Sequence, residues 1–237
     1  MTTQNIHLYL TSEHECGYFP NRRATNLVPD PAVKMTRELY SRLIAIGYRR
    51  SGDFSYRPHC HDCDACLPCR IAVKQYIPRR AQQRCRARNQ DLSIRLVEAH
   101  YTDEYFALYR DYINARHGDG DMVDPTAEDF SSFLYSYWSD TFFIEIRLRQ
   151  RLLAVAATDP LQNGLSAVYS FFDPEERARS LGNFCVLTQI DKAAAMGLEY
   201  LYLGYWIRNC RKMQYKSEYQ PLQIYHNNQW VMQREPA

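Results

Sequence analysis

The sequence predicts an α+β protein in which a small cysteine-containing N-terminal domain precedes a larger domain built on a mixed sheet. Three observations predict this class. Residues 48–77 are dense in Pro, Gly, Cys and charge, as in an irregular, hairpin-rich unit. Three short strand patterns follow one another from residue 142, and a helical pattern then separates them from a fourth. We expect the two domains to cover residues 1–90 and 91–237.

The first helix is predicted at residues 36–46, where Leu39 and Leu43 share one stripe and Gly47 is the stop signal. Two aromatic-rich helices are expected to begin at Thr102 and near Thr126, because threonine is a good N-cap residue. Their apolar positions at helical spacing are Tyr105, Tyr109, Tyr112 and Ile113 in one, and Phe130, Phe133, Leu134, Tyr137 and Trp138 in the other.

The strand patterns lie at residues 92–96, 142–148, 152–158, 165–172 and 200–203. The connections among the middle three are short, which favours an antiparallel meander. Between the last two strands a helix follows Gly182 and runs to Met196. A meander followed by a helix and a strand is the order found in the core of the GCN5-related N-acetyltransferase (GNAT) fold.

Composition excludes several classes of function. The net charge of +2 gives no overall attraction to polyanions, so any basic character must be local. No stretch of about 18 apolar residues exists to span a membrane, and the first 15 residues lack the pattern of a secretory signal. We therefore expect a cytoplasmic protein with reduced thiols among its eight cysteines.

Four thiols, Cys60, Cys63, Cys66 and Cys69, lie at a spacing of three. Tetrahedral zinc sites usually pair two separated knuckles, whereas three thiolates from one loop and a distant fourth are closer to iron–sulfur ligation. The distant candidate is Cys16. A set of structural thiols without metal is the alternative. His59, His61, Asp62 and Asp64 are weaker candidate ligands, and Cys85, Cys185 and Cys210 are expected to be buried thiols.

A basic run without any acid follows, and it indicates either nucleic-acid binding or a solvated helix face. Its members are Arg70, Lys74, Arg79, Arg80, Arg84, Arg86 and Arg88. A second cluster mixes aromatic and cationic residues between Tyr205 and Lys216, where the last core strand should end. Such a mixture suits a base, a ribose or an aminoacyl group, although a packed loop would also fit.

Coenzyme A is disfavoured as the acyl carrier. GNAT enzymes that use it carry a turn whose backbone amides cradle the pyrophosphate at a helix N-terminus. The equivalent stretch here is residues 179–184, Arg-Ser-Leu-Gly-Asn-Phe. Phe184 stands where a small residue must let the backbone approach the phosphates. The pattern therefore favours an acyltransferase that uses another acyl carrier.

Several motifs together resemble the aminoacyl-tRNA–protein transferases, and most of all their aspartate/glutamate leucyltransferase branch. They are residues 16–18 (Cys-Gly-Tyr), 47–53 (Gly-Tyr-Arg-Arg-Ser-Gly-Asp), 56–60 (Tyr-Arg-Pro-His-Cys), 169–182, 201–207 (Leu-Tyr-Leu-Gly-Tyr-Trp-Ile) and 213–216 (Met-Gln-Tyr-Lys). The resemblance implies transfer of leucine from leucyl-tRNA to proteins that begin with Asp or Glu, which marks them for degradation. It also implies a GNAT-like C-terminal domain. The family's cysteine pattern covers Cys16, Cys60, Cys63 and Cys66, a possible iron–sulfur or zinc site.

For such a reaction we expect no required cofactor and no enzyme nucleophile, because the aminoacyl ester is already activated. Orientation and oxyanion donors can supply the catalysis. Tyr169 and Asp173 are the candidate catalytic residues, with Asp173 or Glu175 as proton acceptor unless residues 173–174 simply form a turn.

Three recognition tasks remain, and each has candidates. Arg57, Arg80 and Arg84 are candidates for the acceptor's carboxylate, since arginine binds carboxylates bidentately. Tyr169, Phe171 and Leu203 are candidates for the leucyl pocket. Tyr205, Arg208, Arg211, Lys212 and Lys216 are candidates for the tRNA acceptor end. Arginyl transfer, and a non-catalytic metal-ribbon RNA-binding protein, are the alternatives.

Overall fold

The computed structural model describes residues 6–116 and 123–233. Within these residues the strands are β1 (Leu8–Leu10), β2 (His14–Glu15), β3 (Arg23–Ala24), β4 (Asn26–Pro29), β5 (Arg49–Ser51), β6 (Phe54–Pro58), β7 (Leu67–Ala72), β8 (Ser93–Glu98), β9 (Phe142–Leu148), β10 (Arg151–Pro160), β11 (Gly164–Phe172), β12 (Tyr200–Trp206), β13 (Leu222–His226) and β14 (Gln229–Met232). The α-helices are α1 (Arg37–Ala45), α2 (Arg80–Arg88), α3 (Asp103–Arg116), α4 (Ala127–Leu134) and α5 (Leu181–Ala195). No helix among them is long and apolar enough to cross a membrane.

One large mixed sheet has the strand order β14-β13-β7-β12-β11-β10-β9-β8. Strands β8 to β11 pair antiparallel, as the predicted meander requires, and β11 pairs parallel with β12. The parallel pair needs a crossover, and α5 supplies it. The predicted α+β class and the GNAT-like order of meander, helix and strand are confirmed.

Strands β11 and β12 separate soon after they meet. Their pairing covers only residues 164–166 against residues 200–202. Beyond these positions β11 continues to Phe172 and β12 to Trp206 without pairing with each other. We call the space between the two strands the fork. A fork exposes backbone carbonyls and amides that a continuous sheet would pair, so it is a natural place for a site.

The N-terminal part forms a four-stranded sheet of order β1-β4-β6-β5, with β2 and β3 as a separate ribbon. The predicted division at residue 90 does not separate the sheets, because β7 lies inside the large sheet between β12 and β13. The reason is its burial: five of its six residues are buried, as expected of a central strand.

Helix α5 covers one face of the large sheet, while α3 and α4 cover the other. Phe171 points into the second of these cores, where its ring lies 5.4 Å from that of Tyr109 and 6.0 Å from that of Phe130. Leu203 lies in the core under α5. Both side chains are buried in these cores, and their role as leucyl-binding residues stays a prediction. Both faces of this sheet are apolar, and alternation alone cannot tell a core position from a pocket.

The helix predicted near Thr126 ends earlier than its aromatic pattern suggested. Thr126 does cap it, accepting a hydrogen bond from the Asp129 amide at 3.1 Å. The helix stops at Leu134, however, and Tyr137 is 80% exposed beyond it. Trp138 instead packs against Tyr40 of α1, with ring centroids 4.9 Å apart.

Candidate functional site

Strand β5 places two neighbouring arginines on opposite sides, because successive strand residues alternate. Arg50 is buried and pairs with Asp159 of β10. Arg49 points into the fork, where its Nη2 donates a hydrogen bond to the carbonyl oxygen of Val168 on β11 at 2.6 Å. On the β12 side it lies against Gly204, where an added Cβ would come within 2.8 Å of its Nη1. The guanidinium thus fills the fork from one strand to the other.

Arg49 has no acidic partner among the residues that the structure describes. The phenols of Tyr56, Tyr18, Tyr205 and Tyr215 surround it. No described residue accepts a hydrogen bond from its Nε or Nη1. A cation withdrawn from the surface is normally paired with an acid. The arrangement is therefore suited to an anion supplied from outside the chain.

A second cation lies beside it. Lys216 was predicted to bind tRNA phosphates, but it is only 3% exposed, and its Nζ donates to the carbonyl oxygen of Tyr205 at 2.6 Å. Burial, and to a smaller extent the charge of Arg49, lowers the pKa of Lys216 to about 8. The 3₁₀ helix Arg211–Glu218 turns this side chain inward, and its contact with tRNA phosphates stays a prediction. We call Arg49 and Lys216 together the positive centre.

The burial of Lys216 predicts a pH-dependent stability. Between pH 8 and 10.5 the unfolded lysine holds a proton that the folded lysine has released, so stability rises with pH in this window. Relative to Lys216→Met, wild-type protein should gain about 1–2 kcal/mol between pH 8 and 9.5. Urea unfolding of both proteins, in reductant and at several pH values, measures this gain. A difference that stays constant, or that moves against the wild type, would contradict it.

A cavity of about 470 Å³ opens between the N-terminal sheet and the end of β12. Three of the tyrosines that surround Arg49, namely Tyr18, Tyr56 and Tyr205, also line this cavity. Tyr205 is held in place because its hydroxyl donates to the carbonyl oxygens of Tyr56 at 3.0 Å and Gly47 at 3.2 Å. Its volume is typical of ligand pockets, which span roughly 300–1,000 Å³. The cavity therefore shares three of its wall residues with the surroundings of Arg49.

A shallower recess of about 350 Å³ lies beyond the end of β12. It is lined by Trp206, Arg208, Gln214, Tyr215, Ser217, Glu218 and Gln233. The indole Nε1 of Trp206 is buried without a hydrogen-bond partner in the described part of the chain. Tyr215 lines this recess and is also one of the phenols around Arg49, as three tyrosines of the cavity are.

The four family-pattern thiols gather at the cavity. Cys16, Cys60, Cys63 and Cys66 all line it, whereas Cys69 is buried in β7 and Cys85, Cys185 and Cys210 are buried as predicted. Burial, followed by the charges of the other three thiols, raises the pKa of Cys66 to about 12. Two thiols already have partners: Cys60 Sγ donates to the Thr25 carbonyl oxygen at 3.8 Å, and Cys63 Sγ accepts from Arg22.

This arrangement does not fit the predicted metal or cluster. In residues 6–116 and 123–233, no group of three or more His, Cys, Asp or Glu side chains is placed to hold a metal ion. We therefore derive no step of the chemistry through a metal or an iron–sulfur cluster. The thiols instead form one wall of the cavity, where small polarizable side chains pack well beside aromatic rings.

Of the predicted catalytic residues, Tyr169 lies next to the positive centre. It follows Val168, the acceptor of the Arg49 hydrogen bond, and burial raises its pKa above the ordinary value. Its phenol therefore stays protonated and can donate, but it is not a base at neutral pH. Its role stays a prediction.

Asp173 has a different environment. Its carboxylate pairs with Arg151 and accepts a hydrogen bond from the Glu175 amide at 2.9 Å. These contacts agree with the turn that residues 173–174 were also expected to form, and the role of Asp173 as proton acceptor stays a prediction.

The arginines predicted for the acceptor lie away from the cavity. Arg57 donates to the Ile46 carbonyl oxygen at 2.9 Å and stacks over Tyr48, which occupies its guanidinium. Arg80 and Arg84 are exposed on α2. The first turn of that helix is joined to the 3₁₀ helix by Gln82, whose Nε2 donates to the Glu218 carbonyl oxygen at 3.0 Å. Arg208, Arg211 and Lys212 are also exposed, beside the recess.

Sequence reasoning missed Arg49, although it stands inside the quoted motif of residues 47–53. One signal was available: two adjacent arginines in a short strand must face opposite sides, so they cannot share one acidic partner. Asp159 pairs with Arg50, from which it is 109 residues away in the chain, and Arg49 is left without an acidic partner among the described residues. Only the tertiary structure supplies that contact.

Comparisons with known proteins agree with the architecture. Residues 14–84 match the family model described as arginine-tRNA-protein transferase, N terminus, and residues 104–226 match the model for its C terminus. The chain is 49% identical over 96% of its length to an aspartate/glutamate leucyltransferase of Pseudomonas fluorescens, of which 97% is covered. It is 48% identical over 98% of its length to the protein of the same name from Alcanivorax borkumensis, of which 96% is covered.

Similarity to solved structures is weaker. The C-terminal DUF2156 domain from Agrobacterium fabrum superposes with a TM-score of 0.47 and 12% identity, over 60% of this chain and 47% of that one.

Proposed function

Because this chain belongs to the aminoacyl-tRNA–protein transferase family, in its aspartate/glutamate leucyltransferase branch, we propose that it transfers leucine from leucyl-tRNA to proteins that begin with Asp or Glu. The observation that carries the proposal beyond family membership is the positive centre. A recessed positive charge that has no carboxylate partner among the described residues, and that lies beside three tyrosines of a cavity wall, suits an acidic acceptor. Relatives at 48–49% identity carry the leucyltransferase name.

The donor would approach from the recess beyond β12. Aromatic side chains stack on bases of any sequence, and Tyr215, which is 43% exposed at the recess, provides such a surface. The exposed cations Arg208, Arg211 and Lys212 lie beside the recess, where the phosphates of an acceptor stem would pass. Arg80 and Arg84 extend this basic surface along α2, a role that suits exposed arginines better than carboxylate recognition in a cavity.

The reaction needs little chemistry from the protein. The α-amine of the acceptor attacks the ester carbonyl of leucyl-tRNA, a C–N bond forms, and the C–O bond to the ribose breaks. The proton lost by the amine goes to solvent or a basic group, and the departing ribose oxygen gains a proton. An α-amine has an ordinary pKa near ~8, so a useful fraction is neutral at working pH. Placing the two substrates at the fork supplies most of the advantage.

The start of α5 supports a donor other than coenzyme A. The side-chain oxygen of Asn183 accepts a hydrogen bond from the Tyr219 hydroxyl at 2.9 Å, and Gly182 lies against the ring of Phe172. Phe184 is buried at the position where pyrophosphate would need open backbone. Side chains thus cover the helix end that a GNAT enzyme uses for its coenzyme.

The proposal is tested by supplying labelled leucyl-tRNA or arginyl-tRNA to peptides that begin with Asp, Glu or Arg. We expect leucine on the Asp and Glu peptides and neither amino acid on the Arg peptide. Arginine on the Asp peptide would place the chain with arginyl-transferring relatives. RNA binding without any transfer would favour the metal-ribbon alternative, provided that zinc is bound stoichiometrically.

The exposed cations predict a specific salt dependence. Replacing both Arg211 and Lys212 with alanine should weaken leucyl-tRNA binding. The slope of log K against log salt should become shallower by about 2, since each lost phosphate contact reduces the slope by about 1. Fluorescence anisotropy over a salt series measures it.

The matched control for this pair removes the same charge elsewhere. Lys34→Ala with Arg42→Ala also takes away two exposed cations, and neither residue lines the recess. This double variant should keep the wild-type slope. Equal slopes in all three proteins would exclude Arg211 and Lys212 as phosphate contacts.

A further inference from the structure

We infer that Arg49 is the specificity-determining residue for the acceptor, binding the side-chain carboxylate of its N-terminal Asp or Glu. This inference rests on the proposed function and names the group that distinguishes an acidic acceptor from its neutral amide counterpart. Two exposed arginines line the cavity, but each is engaged: Arg22 donates to Cys63 Sγ, and Arg23 pairs with Glu13. The contacts of Arg49 on both strands of the fork carry the inference.

The guanidinium is fixed before any ligand arrives. One hydrogen of Nη2 is committed to the Val168 carbonyl oxygen at 2.6 Å, and Gly204 closes the opposite side. This fixes the plane of the group while Nε and Nη1 keep their hydrogens for another acceptor. An arginine held in this way presents a planar guanidinium whose N–H groups match the geometry of a carboxylate. It needs little reorganisation on binding.

The surroundings favour a single small anion over a nucleic-acid backbone. The walls next to Arg49 are phenols, of which Tyr18, Tyr56 and Tyr205 also line the cavity. Aromatic walls exclude water and strengthen an ion pair formed inside them. Phosphodiesters are normally met by exposed, flexible cations, and such residues lie instead beside the recess.

The second cation strengthens the same preference. Lys216 lies close enough to Arg49 for the two charges to oppose each other, so both gain when an anion binds between or beside them. Lys216 is tied to the Tyr205 carbonyl oxygen and is buried, whereas Arg49 is only half-buried. Arg49 is therefore the member of the positive centre that can reach the ligand.

The test compares Asp-started with Asn-started peptides, and Glu-started with Gln-started peptides, at saturating leucyl-tRNA. Arg49→Gln should lower kcat/KM for the acidic peptides by about 100-fold, because one partner of a withdrawn charge pair is lost. The residual rates on the amide peptides should change little, so the preference for acid over amide collapses. Arg42→Gln, an exposed arginine on α1, is the matched control and should keep the wild-type preference.

Arg49→Lys keeps the positive charge but removes the planar guanidinium. It provides a second variant in case the glutamine variant does not fold. We expect its acid-over-amide preference to fall by about 10-fold, with circular dichroism and leucyl-tRNA affinity unchanged. An unchanged preference in a folded Arg49 variant would overturn the inference.

Two other outcomes are equally informative. An equal loss on all peptides together with weaker leucyl-tRNA binding would assign Arg49 to the donor and would also overturn the inference. Wild-type protein that transfers nothing to acidic peptides would instead refute the proposed function, which separates the two failures.

Discussion

Replacing Arg50 with methionine is expected to lower the free energy of unfolding by about 3–5 kcal/mol, because it leaves a buried carboxylate without its cation. Arg50 and Asp159 are both fully buried, and their ion pair has Nε–Oδ2 and Nη2–Oδ1 distances of 2.6 and 2.7 Å. Asp159 also accepts from Thr141 at 2.7 Å and Tyr40 at 2.9 Å. This network joins β5 and α1 of the N-terminal part to β10 of the large sheet.

Urea unfolding with reductant measures this loss, and Arg42→Met supplies a control in which an exposed arginine is shortened in the same way. The control should change the free energy of unfolding by less than about 0.5 kcal/mol. Asp159→Asn should also destabilise, because the guanidinium then lacks its countercharge. A loss below about 1 kcal/mol for Arg50→Met would show that the pair does not hold the two parts together.

Gly204→Ala should reduce transfer to acidic peptides by at least about 10-fold, because the new methyl group would come too close to the Arg49 guanidinium and displace it. Gly204 has φ of +76°, and its added Cβ would lie 2.8 Å from Nη1 and 3.1 Å from Cζ of Arg49. Since that guanidinium is held by Val168, it cannot move aside without losing its hydrogen bond. Misplacing a recognition group by about 1 Å can cost about 100-fold.

A matched control separates backbone strain from displacement of Arg49. Gly197 has a similar φ of +70°, but nothing lies within 4 Å of its added Cβ. Gly197→Ala therefore carries the same strain, about 1 kcal/mol of stability, without touching the fork. Steady-state kinetics should show near-normal transfer for Gly197→Ala and a marked loss for Gly204→Ala. Equal activities of the two variants would mean that Arg49 can be displaced without loss and does not bind the carboxylate of the acceptor.

The sequence predicted the architecture well because strand and helix periods are local. The strand expected at residues 142–148 is found at those residues, and the helix expected after Gly182 runs over residues 181–195. The sequence did not reveal that β7, in the predicted N-terminal unit, pairs with strands of the large sheet. Its partners are distant in the chain, and pairing between distant strands leaves no local pattern.

The residues that face the site were harder to predict, because burial depends on contacts that are distant in the chain. Lys216 belongs to a run of exposed cations, and only the inward turn of the 3₁₀ helix buries it. Phe171 and Leu203 are apolar residues of a sheet that is covered on both faces. Tyr205 was expected at the site and lines the cavity beside Arg49. Charge and aromaticity therefore located the region, but burial decided which residues face it.

The central claim is that this chain moves leucine onto acidic N-termini, and one competition measures it most directly. Leucyl-tRNA and arginyl-tRNA are mixed in equal amounts with an Asp-started peptide and its Asn-started twin, and the products are identified by mass spectrometry. We predict the mass of one added leucyl residue on the Asp peptide, with little product on the Asn peptide. An arginyl product, or equal leucylation of both peptides, would contradict the account.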